Sequence, residues 1–190
     1  MKSIYRSQLD AALHPLFEKI PDGGRVLDVG GGQNNPYKNW VKAKTYHVLD
    51  VDPATKPHIV GDAHAIDAKK GTYDVVIATE VLEHCHSPHE AVGEIHRVLA
   101  PNGVLVGSVP FAYPYHGNGA MKDYYRFSVD GLQFLLRDFS SVEIIPFGRM
   151  STYVLTILGN KLKYFKILNP LLERVPATKT YAGCVFLARK

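Results

Sequence analysis

Apolar positions along the chain switch between helical spacing and short continuous runs. Leu9, Ala12, Leu13, Leu16 and Phe17 recur at helical spacing and predict an amphipathic helix over 6–19, stopped by the turn-forming Pro21-Asp22-Gly23-Gly24. Arg25–Val29, Tyr46–Asp50 and the short His58–Val60 read as strands. Tyr73–Thr79 (YDVVIAT) is nearly all apolar, the pattern of a central strand covered on both faces of a parallel sheet. Pro88–Leu99 reads as a helix, with Pro88 in its first turn and Ala91, Val92, Ile95, Val98 and Leu99 on one face. A Pro101-Asn102-Gly103 turn then leads into a fifth strand, Val104–Val109. Ser128 is the expected cap of a helix at 129–138, and Val142–Pro146 and Gly183–Ala188 are the last two strands.

Strands alternating with helices predict an α/β fold, a Rossmann-like three-layer αβα sandwich. A chain of 190 residues suits one domain with one core system. Its expected parts are an N-terminal helix within 1–20, a core over 24–146 and an insertion or lid at 150–176. That last segment mixes Leu, Ile, Phe and Tyr with Lys161, Lys163, Lys166 and Arg174. Its alternative reading is peripheral contact with an anionic membrane through 160–175, although Pro170 interrupts any long interfacial helix.

Composition narrows the picture slightly. Hydrophobic residues make up 46% and charged residues 21%, as in soluble globular proteins. The 22 Lys and Arg against 18 Asp and Glu give a formal charge of +4, with no long run of one sign to argue for nucleic acid. Cys85 and Cys184 are too few for a disulfide framework, which fits a reducing, cytoplasmic compartment. The N-terminus lacks the apolar core of a signal peptide, and no apolar run is long enough to span a bilayer.

The candidate chemistry begins at VLDVGGGQNNPY, where a β-branched run stops on Gly30, Gly31 and Gly32. Glycine accepts positive φ and lets a ligand approach the backbone. Asp50 closes the next strand, at a spacing that suits a bidentate grip on ribose hydroxyls. Asp62, in GDAHAI, closes the third and is placed to reach an adenine amino group. Acidic or glycine-rich ends on three successive strands point to a nucleoside-containing ligand. The dinucleotide pattern G-x-G-x-x-G requires glycine at 35, where Asn35 stands. Asn35-Pro36 also forbids an immediate helix whose amino end would hold a pyrophosphate. A ribose and base without phosphates fits better, which disfavours a nucleotide-dependent oxidoreductase.

VLDVGGG, HVLDVDP, GDAHAI, YDVVIATEVLEH and EIHRVLAPNGVLVGSVP occur in this order. Together they resemble the successive motifs of class I S-adenosylmethionine-dependent methyltransferases, in particular small bacterial-type members with the EVLEH segment. The resemblance covers roughly 24–140. It implies a seven-stranded sheet with the last strand inserted antiparallel, and S-adenosyl-L-methionine as cofactor. By that resemblance Asp28, Gly30, Gly31 and Gly32 form the turn near the methionine part of the cofactor. Asp50, with Val51 beside it, matches the ribose-binding acid, Asp62 and Ala63 the adenine-contacting pair, and Glu80 the start of a segment lining the pocket. The departure is Asn34, where the family has a further glycine. A short gap between the first two strands implies a stunted first helix.

The aromatic loop at 110–127 is the expected acceptor site. His116 and Asp123 are its candidate bases, and Tyr124 a candidate contact. Arg126 either fixes an anionic substrate group or braces the loop through Asp123. Tyrosine faces there also suit a sulfonium cation. The run EHCHSPHE sets His84, His86 and His89 beside Cys85, without the paired spacing zinc requires, so no metal is expected. The segment Thr79-Glu80-Val81-Leu82 lacks the Asn/Asp-Pro-Pro-aromatic signature of exocyclic-amine enzymes, and Cys85 follows His84 rather than proline. A nucleic-acid acceptor is therefore not expected, and a small-molecule, saccharide-like or lipid-linked acceptor is. The remaining alternative is a non-catalytic module that keeps the cofactor site.

Overall fold

The computed structural model describes residues 3–32, 36–118, 121–149, 152 and 181–190. Among the described residues three helices, α1 (Ile4–Phe17), α2 (Pro88–Val98) and α3 (Val129–Leu135), accompany seven strands. The strands are β1 (Arg25–Val29), β2 (Thr45–Asp50), β3 (Ile59–Val60), β4 (Tyr73–Thr79), β5 (Leu99–Pro110), β6 (Ser141–Phe147) and β7 (Gly183–Arg189). They form one sheet in the order β3-β2-β1-β4-β5-β7-β6. Strands β1 to β5 pair in parallel, and β7 runs antiparallel to both β5 and β6. This is the Rossmann-like sheet expected from the sequence, including its reversed last strand.

Side-chain alternation divides the apolar residues into two cores. Leu27, Val29, Val76, Ala78, Leu105 and Phe186 face α2 and α3. Val26, Val75, Ile77, Val104, Val106, Val185 and Leu187 face α1. Strand β4 contributes to both, which explains its uninterrupted apolar run. Helix α1 begins where the Ser3 hydroxyl accepts from the Arg6 amide at 3.1 Å, and it buries Leu9, Leu13, Leu16 and Phe17. Each such side chain contributes about 1.5–3 kcal/mol on burial. Ser128 caps α3 by accepting from the Gly131 amide at 3.1 Å.

The largest differences from expectation lie at three boundaries. Helix α1 ends at Phe17 and α3 at Leu135, earlier than periodicity implied. Strand β5 begins at Leu99, and the Pro-Asn-Gly turn lies inside it. Pairing with β4 jumps from Tyr73↔Leu99 to Val75↔Val104, and Asn102 takes φ 61° there, so the turn is accommodated as a bulge. Between β1 and β2 the described residues form only a 3-10 turn at Lys38–Trp40, as the short gap implied. Apart from Thr152, the segment 150–176 lies outside the described residues, as do Gln33, Asn34 and Asn35.

From β1 the chain steps outward to β2 and β3, then returns to place β4 on the other side of β1. Strand order therefore reverses between β1 and β4, where open α/β sheets bind ligands beyond their carboxyl ends.

Candidate active site

The loops beyond β1, β2, β3 and β4 surround a cleft of about 760 Å³. Of the expected cofactor residues, Gly30, Asp50, Val51, Asp62, Ala63 and Glu80 line it. Gly30 holds φ 69°, and a Cβ there would lie 2.7 Å from Val81 Cγ2, so only glycine fits the turn. A Cβ on Gly31 would lie 2.4 Å from Asp28 Oδ2. Asp28 is thus not a wall of the cleft but a buried support beneath the turn, accepting from the Tyr46 hydroxyl at 2.8 Å. Burial drives its carboxyl up to about 7; the Tyr46 hydrogen bond opposes this and the Asp50 charge adds to it.

Asp50 accepts from the Asp52 amide through Oδ1 at 2.9 Å, while Oδ2 turns toward Gly32. At the end of β3, Asp62 accepts from the His64 amide at 2.9 Å and pairs with the His64 ring. The Ser87 amide donates to His64 Nε2 at 3.3 Å, which leaves Nδ1 as the donor to Asp62. The His64 ring stacks on His86 with centroids 4.0 Å apart. Burial raises the Asp62 carboxyl, but the His64 hydrogen bonds and nearby histidines outweigh it and leave a net lowering.

Glu80 leaves β4 at φ 55°, an uncommon value for a non-glycine residue. Its carboxylate accepts from the Tyr5 hydroxyl and the Ser108 hydroxyl, each at 2.9 Å. Burial, then the charge of Glu83, raises its pKa. Tyr5 and Ser108 were not singled out in the sequence, because each meets Glu80 only through tertiary packing.

The described residues of loop 111–127 fold back over the carboxyl edge. The Tyr124 amide donates to the Glu83 carbonyl at 2.8 Å, and the Phe127 amide to the Pro110 carbonyl at 3.1 Å. Within the loop, the His116 amide donates to Asp123 Oδ2 at 2.9 Å, and His116 Nδ1 lies 3.1 Å from the same oxygen. Arg126 donates to both Asp123 oxygens and to the carbonyls of Tyr113, Pro114 and Tyr125. Each of its five N–H groups has an acceptor inside the loop. Of the two roles expected for Arg126, the geometry is that of the brace. The Arg126 pair holds the Asp123 carboxyl down at about 2, against the effect of burial, which makes Asp123 a poor base. His116 shifts upward, through Glu83 first, against burial, with Asp123 adding to the effect. Tyr124 is half exposed and lines the cleft. His116, Asp123 and Arg126 do not line it.

The side chains of the EHCHSPHE run go to different surroundings. His86 stacks on His64, His89 sits edge-on to Phe134, and Cys85 is buried with its thiol pushed up to about 12 by burial. Glu83, which sequence reasoning passed over inside EVLEH, is fully buried. Among the described residues, neither of its carboxylate oxygens has a hydrogen-bond partner.

A family model described as a methyltransferase domain matches residues 1–138. The chain belongs to this family. The methyltransferase domain is 36% identical over 107 residues to tRNA U34 carboxymethyltransferase of Chromohalobacter salexigens, covering 45% of this chain and 32% of that protein. It is 28% identical over 145 residues to the ubiquinone/menaquinone biosynthesis C-methyltransferase UbiE of Ruegeria sp., covering 66% of this chain and 57% of that one. The chain thus spans between a third and little over half the length of these relatives. In fold it is similar to Haemonchus contortus phosphoethanolamine N-methyltransferase 2 in complex with S-adenosyl-L-methionine. That match has a TM-score of 0.64 at 14% identity, covering 96% of this chain and 52% of that one. Family and fold make this a class I S-adenosylmethionine-dependent methyltransferase domain, and the oxidoreductase alternative falls. The expectation that nucleic acid plays no part loses its footing, because one relative is named for a tRNA substrate. Among the described residues no helix is long and apolar enough to cross a membrane.

Proposed function

We propose that this domain transfers a methyl group by direct displacement to an acceptor held under loop 111–127. One observation carries the reading: Gly30 of the glycine turn, Asp50, Asp62, Ala63 and Glu80 line one cleft at the switch point of the sheet. The residues fit S-adenosylmethionine. The turn is bare where a Cβ at Gly30 would collide with Val81, and Asp50 directs an oxygen toward that turn. Asp50 and Val51 would hold the ribose, Asp62 and Ala63 the adenine, and Gly30 to Gly32 the methionine part, with Asp28 supporting the turn. When bound, the cofactor supplies a methyl group on a sulfonium whose leaving thioether is neutral.

The protein's own task is then alignment, which can supply on the order of 7–11 kcal/mol. Tyr124 forms part of the wall on the acceptor side, and its ring suits a cationic centre. His116 is the residue we assign to receive an acceptor proton where one must leave, with Asp123 fixing its ring and Arg126 fixing Asp123. The acceptor we favour is a small molecule, saccharide-like or lipid-linked, met in the cytoplasm. The likeness to a tRNA-modifying enzyme supports a second reading, an RNA acceptor.

Calorimetric titration with S-adenosylhomocysteine and, separately, NAD tests the cofactor. Binding of the first alone is expected, and binding of NAD alone would overturn the reading. Transfer of labelled methyl to quinone, saccharide, lipid and tRNA panels then separates the acceptors. In that assay His116→Ala should spare cofactor affinity and reduce transfer. Cofactor binding with no turnover on any panel would favour a non-catalytic module.

A further inference from the structure

Glu83, His84 and His116 offer three ligand atoms that all lie within 4.8 Å of one another. Glu83 comes from the 3-10 turn after β4 and is fully buried. A buried carboxylate with both oxygens unsatisfied carries a large desolvation cost. The two imidazoles face it symmetrically: His84 Nε2 lies 3.7 Å and His116 Nε2 3.6 Å from the same oxygen, Oε1. Both distances exceed a good hydrogen bond.

Each ring is also oriented from behind. His84 Nδ1 lies 2.6 Å from the Lys122 carbonyl, which only a donor can satisfy. His116 Nδ1 lies 3.1 Å from Asp123 Oδ2. With both Nδ1 atoms committed as donors, both Nε2 lone pairs point at Glu83. This is the arrangement by which proteins fix metal-binding histidines, one nitrogen donating to a carbonyl or carboxylate and the other turned to the ion.

We infer that Glu83, His84 and His116 bind one divalent cation of the zinc class, leaving a coordination position for an oxygen ligand. Donor–metal distances of about 2.0–2.2 Å place tetrahedral ligand atoms about 3.4 Å apart, close to the 3.6 and 3.7 Å by which the two imidazole nitrogens stand off Glu83 Oε1. Two imidazoles and one carboxylate select first-row transition metals over magnesium or calcium. The competing arrangement, an imidazolium at one histidine, gives Glu83 one proton to share and leaves the second lone pair facing the same oxygen. A dication satisfies all three groups. His84 also lines the cofactor cleft, so the site adjoins the methyl donor. A bound ion occupies the His116 lone pair, and an acceptor hydroxyl entering the remaining position would be acidified by the metal and lose its proton to water. The inference rests on the reading above only for what occupies the neighbouring cleft, and with the ion bound it replaces the role of His116 as proton acceptor by that of a ligand.

The test is titration of the full chain with Co²⁺ and with Zn²⁺, followed by visible absorption and by calorimetry in two buffers of different ionisation enthalpy. One Co²⁺ per chain with a ligand-field band is expected. Glu83→Gln, His84→Gln and His116→Gln should each weaken it more than about 10-fold, while His89→Gln should not. Should the buried Glu83→Gln fail to fold, the two histidine variants decide. S-adenosylhomocysteine affinity is measured in parallel. Cofactor binding without Co²⁺ binding, or Co²⁺ affinity unchanged in both histidine variants, overturns this inference alone. Co²⁺ binding of the expected pattern without cofactor binding upholds it and overturns the cofactor reading.

Discussion

One oxygen of Asp123 holds His116 from two directions: it accepts from the His116 amide at 2.9 Å and lies 3.1 Å from Nδ1 of the same residue. The Asp123 side chain is fully buried and is itself gripped by the Arg126 fork. The order of support therefore runs from Arg126 to Asp123 to His116. His116, like Arg126, remains partly exposed, whereas Asp123 is buried, which is why His116, rather than Asp123, is the residue to test for chemistry.

Arg126→Ala leaves the buried Asp123 carboxylate without its counter-ion. Breaking a buried pair in this way costs about 3–5 kcal/mol, and the partial exposure of Arg126 places the expected loss at the lower end. Urea denaturation measures it. A variant of unchanged stability that has lost only acceptor affinity would make Arg126 a substrate ligand instead of a brace.

Asp50→Ala removes the carboxylate expected to hold the ribose. Hydrogen bonds to a charged group contribute about 1.5–3 kcal/mol, so S-adenosylhomocysteine should bind roughly 10- to 100-fold more weakly by calorimetry. The fold should persist, since Asp50 sits at a strand end on the cleft wall. Equal affinity would remove the ribose assignment.

Asp28→Asn should stabilise the ligand-free protein in alkaline solution. Burial raises the folded-state pKa of Asp28 from 3.8 to about 7, so the folded state holds this proton more tightly than the unfolded chain. The resulting stabilisation is fully present below 3.8 and is lost as pH rises through about 7. At about 1.4 kcal/mol per unit, the loss amounts to no more than about 4 kcal/mol. Denaturation midpoints should therefore coincide for wild type and Asp28→Asn below about pH 4, diverge in favour of the variant between about pH 4 and 7, and keep a constant gap above that. Parallel curves across the interval of divergence would contradict the assignment.

Tyr5→Phe withdraws the hydroxyl that donates to Glu80 Oε2. The oxygen left without that donor costs about 1–3 kcal/mol. Because Tyr5 belongs to α1 and Glu80 to the cleft wall, cofactor affinity should fall together with stability. A loss of stability with unaltered S-adenosylhomocysteine binding would detach α1 from the site.

Much of the fold was legible in residue order. Helical spacing located α1 and α2, the all-apolar YDVVIAT announced a strand buried on both faces, and Ser128 capped α3 as its side chain dictates. The cleft residues were equally local signals, since a glycine turn or an acid at a strand end is set by backbone conformation and chain direction. The errors fell where pairing overrides propensity. The Pro-Asn-Gly turn became a bulge because Leu99 pairs with Tyr73 before it. Arg126 was left between two roles because its five acceptors are mostly backbone carbonyls, which no side-chain pattern reveals.

By itself, then, the sequence determined the alternation of elements, the faces they bury and the strand ends that carry chemistry, because these follow from residue type and period within a few positions. Tertiary structure alone decided that Tyr5 and Ser108 meet at Glu80, that Asp28 supports the turn from beneath, and that the Glu83 carboxylate lies between His84 and His116 without a hydrogen bond among the described residues. Periodicity states that a side chain is buried. Only the packing of one element on another states what it is buried against.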